Sequence, residues 1–230
     1  MPRRLPIIIQ ARLSSTRAPG KVLRPIAGRP LLGLLLDRMR RVEGATDLVV
    51  ATSERGEDDA IVGFCDTEGI AVARGPLADV AGRFANVVTA LEAEAFVRIS
   101  GDSPWLDPAL IDQALDLYHR TGPDLVSNVH PRSFPKGQSV EVVNAETFLA
   151  ELPNLTSAAD REHVTSYFYA HADRFRITAF QADRPAPEVQ LSVDSEADFR
   201  ACVALTGRLT RPHWTYGWPE IAELARESRR

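Results

Sequence analysis

The strongest constraint on this chain is a rhythm in its first half, where short apolar runs alternate with stretches of helical period. Residues 5–10, 48–51, 70–73 and 96–100 read as strands bounded by polar turns. Between them, Pro30 opens a helix whose Leu31, Leu34, Leu35 and Met39 share a face before the basic end Arg40-Arg41. Residues 57–68 and 77–94 supply the next two helices. Strand, helix and strand in repetition form βαβ units, and a sheet built from them needs helices on both faces. The expected fold is therefore α/β, with three α/β/α layers.

The second half keeps the layers but changes the rhythm. Asp107 and Pro108 form a helix start, acid as N-cap and proline at the first helical position, with Leu110, Ile111, Ala114 and Leu115 on one face. A strand is expected at 124–127, a loop at 131–137 and a strand at 140–143. A helix follows at 158–172, with Val164, Tyr167, Phe168 and His171 in phase. Strands at 177–180 and 189–193 would complete a mixed, mostly parallel sheet. Ser195 and Asp198 then frame a capping box for a helix reaching about residue 205. One domain over residues 1–230 is expected, with a helical tail from about 208.

Composition removes whole classes of function. With 230 residues, 44% of them hydrophobic, and two cysteines far apart in sequence, the chain is neither a disulfide scaffold nor a metal knuckle. Cys65 and Cys202 are expected to be buried thiols. The apolar run at 31–36 is far below the roughly 20 residues needed to cross a bilayer, and the run after the basic start is too short for a signal peptide. A cytoplasmic protein without membrane contact is expected. A net charge of −4 gives no reason to expect nucleic-acid binding. Residues 1–41 nevertheless carry ten basic side chains against one acid, Asp37. That segment is either a solvated basic face or a grip for a small polyanion.

Three segments carry chemistry. Residues 9–21 follow the first strand and offer Arg12, Arg17 and Lys21 as cations, hydroxyls at Ser14, Ser15 and Thr16, and Gly20 for close backbone approach. The carboxyl end of a strand in an open α/β sheet is where ligands bind, and such a loop suits a triphosphate. It is not a Walker A loop, which would need Gly at 15 and Ser or Thr at 22. Asp102 ends the strand 96–100; it reads either as a turn residue or as an anchor for a Mg²⁺–nucleotide, because Mg²⁺ takes carboxylate and phosphate oxygens. Asp194 precedes the capped helix and reads either as a helix-terminus acid or as a second metal ligand. The five histidines show no metal-binding spacing. Trp214, Tyr216 and Trp218 read as packing for the tail rather than as a base-stacking platform.

Together these segments resemble the cytidylyltransferases that activate acidic sugars, most of all the SpsF-like family of spore coat polysaccharide biosynthesis. The resemblance spans residues 6–206. It rests on Ile-Gln-Ala-Arg at 9–12, Ser-Thr-Arg-Ala-Pro-Gly-Lys at 15–21, Val-Val-Ala-Thr at 49–52 and Arg-Ile-Ser-Gly-Asp-Ser-Pro at 98–104. Phe-Pro-Lys-Gly at 134–137, Arg-Glu-His-Val-Thr at 161–165 and Val-Asp-Ser at 193–195 add to it. It implies a nucleotide-diphospho-sugar transferase fold of the GT-A-like type and transfer of CMP from CTP to an acceptor, with Mg²⁺ as cofactor and release of pyrophosphate. Carried over by position, Arg12, Ser15, Arg17 and Lys21 match the triphosphate loop, and Arg74 and Asp79 match nucleotide contacts. Asp102 and Asp194 match the metal-binding acids, and Arg12, Lys21 and Asp102 the catalytic set. Arg132, Lys136, Glu141, Arg161, Glu162 and His163 match segments near a small acidic acceptor. A homodimer is also implied. Many relatives place Asp where this chain has Ser139, which bears on acceptor identity.

Two other readings stay open at this level. One is a glycosyltransferase using a nucleotide sugar, although Gly101-Asp102-Ser103 is not the Asp-x-Asp motif of that class. The other is a protein that holds CTP without turning it over.

Overall fold

The computed structural model describes residues 4–227. In chain order the elements are β1 (Ile7–Gln10), β2 (Pro25–Ile26), β3 (Arg29–Pro30), α1 (Leu31–Met39), β4 (Leu48–Ser53), α2 (Asp59–Glu68), β5 (Ala71–Gly75), α3 (Val80–Ala90) and β6 (Ala95–Ser100). There follow α4 (Pro108–Thr121), β7 (Leu125–Ser127), β8 (Glu141–Asn144), α5 (Ala145–Glu151), α6 (Ala158–His163), α7 (Ser166–Ala170), β9 (Ile177–Ala179), α8 (Glu196–Thr206) and α9 (Trp218–Glu227).

Seven strands form one sheet in the order β5-β4-β1-β6-β8-β7-β9, and β2 and β3 make a separate hairpin. The pairs β5–β4, β4–β1, β1–β6 and β7–β9 are parallel. β8 runs antiparallel to both its neighbours. The sheet is thus mixed and mostly parallel, as the rhythm predicts. The chain moves outward from β1 to β4 and β5, then returns across β1 to β6. The strand order reverses there, and a crevice opens beyond the carboxyl ends of such strands.

β1 shows why the three layers hold together. Its Ile7 and Ile9 pack with Leu32, Leu35, Val97, Leu110 and Ile111 on one face. Ile8 points the other way, into Phe84, Val88, Phe96, Phe148 and Phe168. All three isoleucines are almost wholly buried, and each such side chain contributes about 1.5–3 kcal/mol of transfer free energy. A third cluster joins Ile26, Leu31, Trp105, Phe199 and Ile221, and holds α8 and α9 on the body.

Helix starts follow the sequence closely. Asp107 accepts from Ala109 N with Pro108 at the first turn, and Ser195 and Asp198 form a reciprocal capping box. The strands at 5–10, 48–51, 70–73, 96–100, 124–127, 140–143 and 177–180 and the helix at 57–68 appear with ends moved by up to two residues; α3 is shorter than the expected 77–94. Cys65 and Cys202 are free and buried, and burial pushes both thiols up to about 12. Among the described residues no helix is long and apolar enough to cross a membrane.

Two expectations need correction. Residues 189–193 do not form a sheet strand; a single bridge pairs Gln190 with Lys136. Val189, Leu191 and Val193 alternate because they face the third cluster, so one-sided burial imitates a strand. Residues 158–172 are not one helix. Val164 sits at φ +60°, unusual for a β-branched residue, and separates α6 from α7. α5 was not expected at all; Asn144 caps it by accepting from Thr147 N.

Arg29 joins α1 to α2 through bidentate bonds to both Asp37 and Glu68, at 2.7–2.9 Å. These bonds, with help from Arg40, pull the Glu68 carboxyl down from 4.5 to about 2. A carboxyl lowered on folding stabilises the fold above its unfolded value, and that contribution fades as pH falls from 4.5 toward 2. Urea unfolding should therefore show Arg29→Met less stable than wild type at pH 7, with the gap closing by pH 2–3. A gap independent of pH would show that Arg29 acts through packing alone.

Candidate active site

The carboxyl ends of β1 and β6 meet at Gly101. A Cβ there would lie 2.8 Å from the Gln10 carbonyl oxygen, so only glycine lets the two strand ends approach. Its N–H donates to that same oxygen at 2.8 Å. The loop after β1 is fixed from behind by Asp58, which is buried and accepts from Leu13 N at 2.8 Å and from the Ser53 hydroxyl. Gly20 N closes the loop by donating to Leu13 O at 2.9 Å.

This framework presents Lys21. The residue is 7% exposed, and its Nζ donates to Asp102 Oδ2 at 2.7 Å and to the Val193 carbonyl at 2.6 Å. Asp102 also accepts from the Ser100 hydroxyl at 2.8 Å through Oδ1. Val193 N donates to the Asp102 carbonyl at 2.9 Å, which ties the segment carrying Asp194 to the segment carrying Asp102. Asp194 accepts from Arg17 Nη2 at 3.3 Å, and from Gln190 Nε2 at 2.9 Å and the Ser192 hydroxyl at 3.1 Å. Arg12 reaches Glu162 at 2.7 Å.

Two cavities of ≈ 300 Å³ each flank these acids. The first is lined by the loop, including Arg12, Ser15, Arg17 and Lys21, and by Arg83, Glu162 and His163. The second is lined by Arg98, Arg132, Lys136, Ser139 and Glu141. Ser100, Asp102 and Asp194 line both. Asp102 and Asp194 therefore stand between a cationic loop on one side and Arg132 and Lys136 on the other.

The remaining sequence candidates are placed differently. Arg74 lines neither cavity; it donates to Ser53 O and Arg55 O and pairs with Asp59 at 2.7 Å. Asp79 caps α3 through Gly82 N and accepts from Arg161, so neither of these two lines a cavity. The turn at Val164 carries Glu162 and His163 to the loop side, away from the cavity that holds Arg132. Glu141 lines the second cavity but is 3% exposed, and it already accepts from Arg98, Thr165 and the Tyr169 hydroxyl. Burial and the Glu141 charge raise the Tyr169 phenol above its usual value. Arg132 touches the Ser139 hydroxyl at 3.3 Å with both terminal nitrogens, and among the described residues no carboxylate pairs with it.

Sequence reasoning missed Arg83 and Arg98. Each is a charged residue inside an otherwise apolar run, and that anomaly was the available signal. His213, like the tail aromatics, serves packing: burial lowers its imidazole from 6.5, and Trp218 meets Phe134 edge-on.

The acids suit a hard divalent cation. Among the described residues no group of three or more His, Cys, Asp or Glu gathers to hold a metal. Two carboxylates completed by phosphate oxygens and water are nevertheless the donors that Mg²⁺ accepts.

A cleft at the carboxyl ends of parallel strands, with a cationic loop facing two acids, defines a nucleotidyltransferase. The profile of the cytidylyltransferase family matches residues 6–205, and the chain belongs to that family. It is 34% identical over 206 residues to the spore coat polysaccharide biosynthesis protein SpsF of Bacillus subtilis, covering 86% of this chain and 84% of that one. It is 29% identical over 165 residues to the 8-amino-3,8-dideoxy-manno-octulosonate cytidylyltransferase of Shewanella piezotolerans, covering 70% of this chain and 63% of that one. A solved cytidylyltransferase from Leptospira borgpetersenii shares the fold, with a TM-score of 0.91 at 24% identity over 99% of this chain and 95% of that one. A CMP:2-keto-3-deoxy-manno-octonic acid synthetase complexed with CTP shares it at 0.68 and 18%, over 89% and 99%.

Proposed function

We propose that this protein is a Mg²⁺-dependent cytidylyltransferase that couples CTP to a sugar acid, giving a CMP-activated product and pyrophosphate for surface polysaccharide or glycoconjugate synthesis. The reading includes a cytoplasmic homodimer. The observation that carries it is the position of Asp102 and Asp194 between two cavities, one with a triphosphate-sized set of cations and one with Arg132 and Lys136.

In this reading CTP lies along the first cavity and the acceptor's carboxylate meets Arg132 and Lys136, since guanidinium pairs with carboxylate bidentately. An acceptor hydroxyl oxygen attacks the α-phosphorus and gives up its proton to solvent, the bond from that phosphorus to the bridging oxygen breaks, and pyrophosphate leaves with the electron pair. Negative charge grows on the leaving group, where Lys21 and Arg12 stabilise it more than they stabilise the ground state. Asp102 and Asp194 would hold Mg²⁺, which supplies further neutralisation of phosphate oxygens. No nucleophile from the protein is required.

The test is pyrophosphate release from CTP, UTP, ATP or GTP with a panel of eight- and nine-carbon sugar acids. Release with CTP and one sugar acid, abolished by chelating the divalent cation, is the expected outcome. Binding of a nucleotide sugar with indifference to every triphosphate would overturn the reading in favour of glycosyl transfer.

A further inference from the structure

Gln10 ends β1 and has no assigned task. It pairs in register with Ser100 of β6, so the two side chains share a face of the sheet with Arg98, two residues before Ser100. Arg98 Nη2 donates to Gln10 Oε1 at 3.2 Å, while Arg98 Nη1 is held by Glu141 Oε2 at 2.6 Å. Glu141 is fixed in turn by the hydroxyls of Thr165 and Tyr169, at 2.9 and 2.6 Å. A guanidinium has donors only, so this bond decides which end of the Gln10 amide faces Arg98. The oxygen is taken and the amino group is left over. Nε2 finds no partner among the described residues and, unlike the stranded Arg98 Nε, it is not sealed off from solvent. An amide locked in orientation by an ion pair, with its N–H donors unspent, presents those donors to the cavity it lines.

The place of this amide in the cleft narrows what it meets. Gln10 lines the first cavity, whereas Arg98, bonded to its oxygen, lines the second. Its register partner Ser100 lines both and donates to Asp102 Oδ1 at 2.8 Å. Gln10 therefore stands at the seam between the cavities, beside one of the two acids that would hold the metal. In the reaction proposed above one atom has to be reached from both cavities. That atom is the α-phosphorus, which belongs to the nucleotide in the first and is attacked by the acceptor from the second.

We infer that Gln10 is a catalytic residue whose Nε2 donates to a non-bridging oxygen of the α-phosphate. This rests on the CTP-using function proposed above. Lys21 and Arg12 serve the leaving pyrophosphate in that reading, which leaves the reacting phosphorus itself without a protein donor. A donor held in place where charge develops stabilises the transition state, and a phosphate gripped at one oxygen is turned toward the attacking hydroxyl. Arg98 is then a positioning residue, because it sets which end of the Gln10 amide the phosphate meets.

Calorimetric titration of CTP and of the two α-thio-CTP diastereomers into wild type, Gln10→Leu and Gln10→Glu tests this, with thermal melts reporting folding. Sulfur accepts hydrogen bonds poorly, so replacing the oxygen that Gln10 holds weakens one diastereomer only. The metal's own preference for oxygen is present in all three proteins and drops out of the comparison. The expected result is an affinity ratio between the diastereomers that shrinks by about tenfold in Gln10→Leu, with a fall of about a hundredfold in kcat for pyrophosphate release. Gln10→Glu keeps the size and the Arg98 bond but turns an oxygen toward the phosphate. It should lose at least as much, and it carries the test if Gln10→Leu does not fold. A folded variant with the wild-type diastereomer ratio and kcat overturns the inference. So does one that weakens CTP and both thio analogues equally, which would put Gln10 on the base or the ribose. Wild type that binds CTP but releases no pyrophosphate with any sugar acid would instead sink the proposed function, while the diastereomer ratio still judges Gln10.

Discussion

Replacing Lys21 by Met is expected to lower kcat/KM for pyrophosphate release by on the order of a thousandfold, with the fold intact. Removing one preorganised group that stabilises developing charge costs about 10²–10³ in rate, and Lys21 loses more than a neutral donor would. Its ammonium is nearly buried and held by two acceptors, Asp102 Oδ2 and the Val193 carbonyl. These bonds hold it at the edge of the first cavity, where the proposed reaction develops charge on a leaving group. Asp102 keeps the Ser100 hydroxyl after the change, so the carboxylate stays oriented. Arg17→Met, at a side chain 70% exposed, should cost far less. Steady-state kinetics of both variants, beside their circular dichroism, decides the matter. A Lys21→Met enzyme within tenfold of wild type would remove this residue from the chemistry.

The largest expected effect on stability is at Arg38. It is wholly buried in α1, and its Nε, Nη1 and Nη2 donate to the carbonyls of Leu106, His213 and Tyr216. Burial lowers the guanidinium to about 10, with Asp107 opposing. One side chain therefore satisfies three carbonyls and clips the segment before α9 to the body. Arg38→Met keeps the apolar stem but strands all three acceptors, at a cost on the order of 3 kcal/mol or more. Urea unfolding should show that loss, and limited proteolysis should begin in residues 208–217, because α9 would then be held by the apolar cluster around Ile221 and by bonds at its own residues, Trp218 N to Asp107 and Arg226 to Glu188. A variant within 0.5 kcal/mol of wild type, roughly the scatter of a neutral surface change, would show that Arg38 does not hold the tail.

What the sequence displayed and what it concealed divides along a physical line. The βαβ rhythm was legible because β1 is buried on both faces and its helices have periodic apolar sides. Asp107-Pro108 and Ser195–Asp198 were legible because capping is local chemistry. The loop of residues 9–21 was legible because charge and hydroxyls cluster beside a strand end. The break at Val164 was not, since the helical phase of Tyr167, Phe168 and His171 continues across it and only tertiary contacts hold a β-branched residue at positive φ. Residues 189–193 misled for the opposite reason: period two reports burial on one face, and Val189, Leu191 and Val193 obtain that burial from α8 and Trp105 without a sheet neighbour. Arg83 and Arg98 were visible as letters but not as a site, because their meaning depends on strands and helices far away in sequence.

The three cross-cleft pairs, Lys21 with Asp102, Arg17 with Asp194 and Arg12 with Glu162, set each cation of the loop against a carboxylate of the opposite wall. In the proposed reaction phosphate groups would claim the cations and a divalent ion the carboxylates, so each would offer a new partner to the charges that the other displaces.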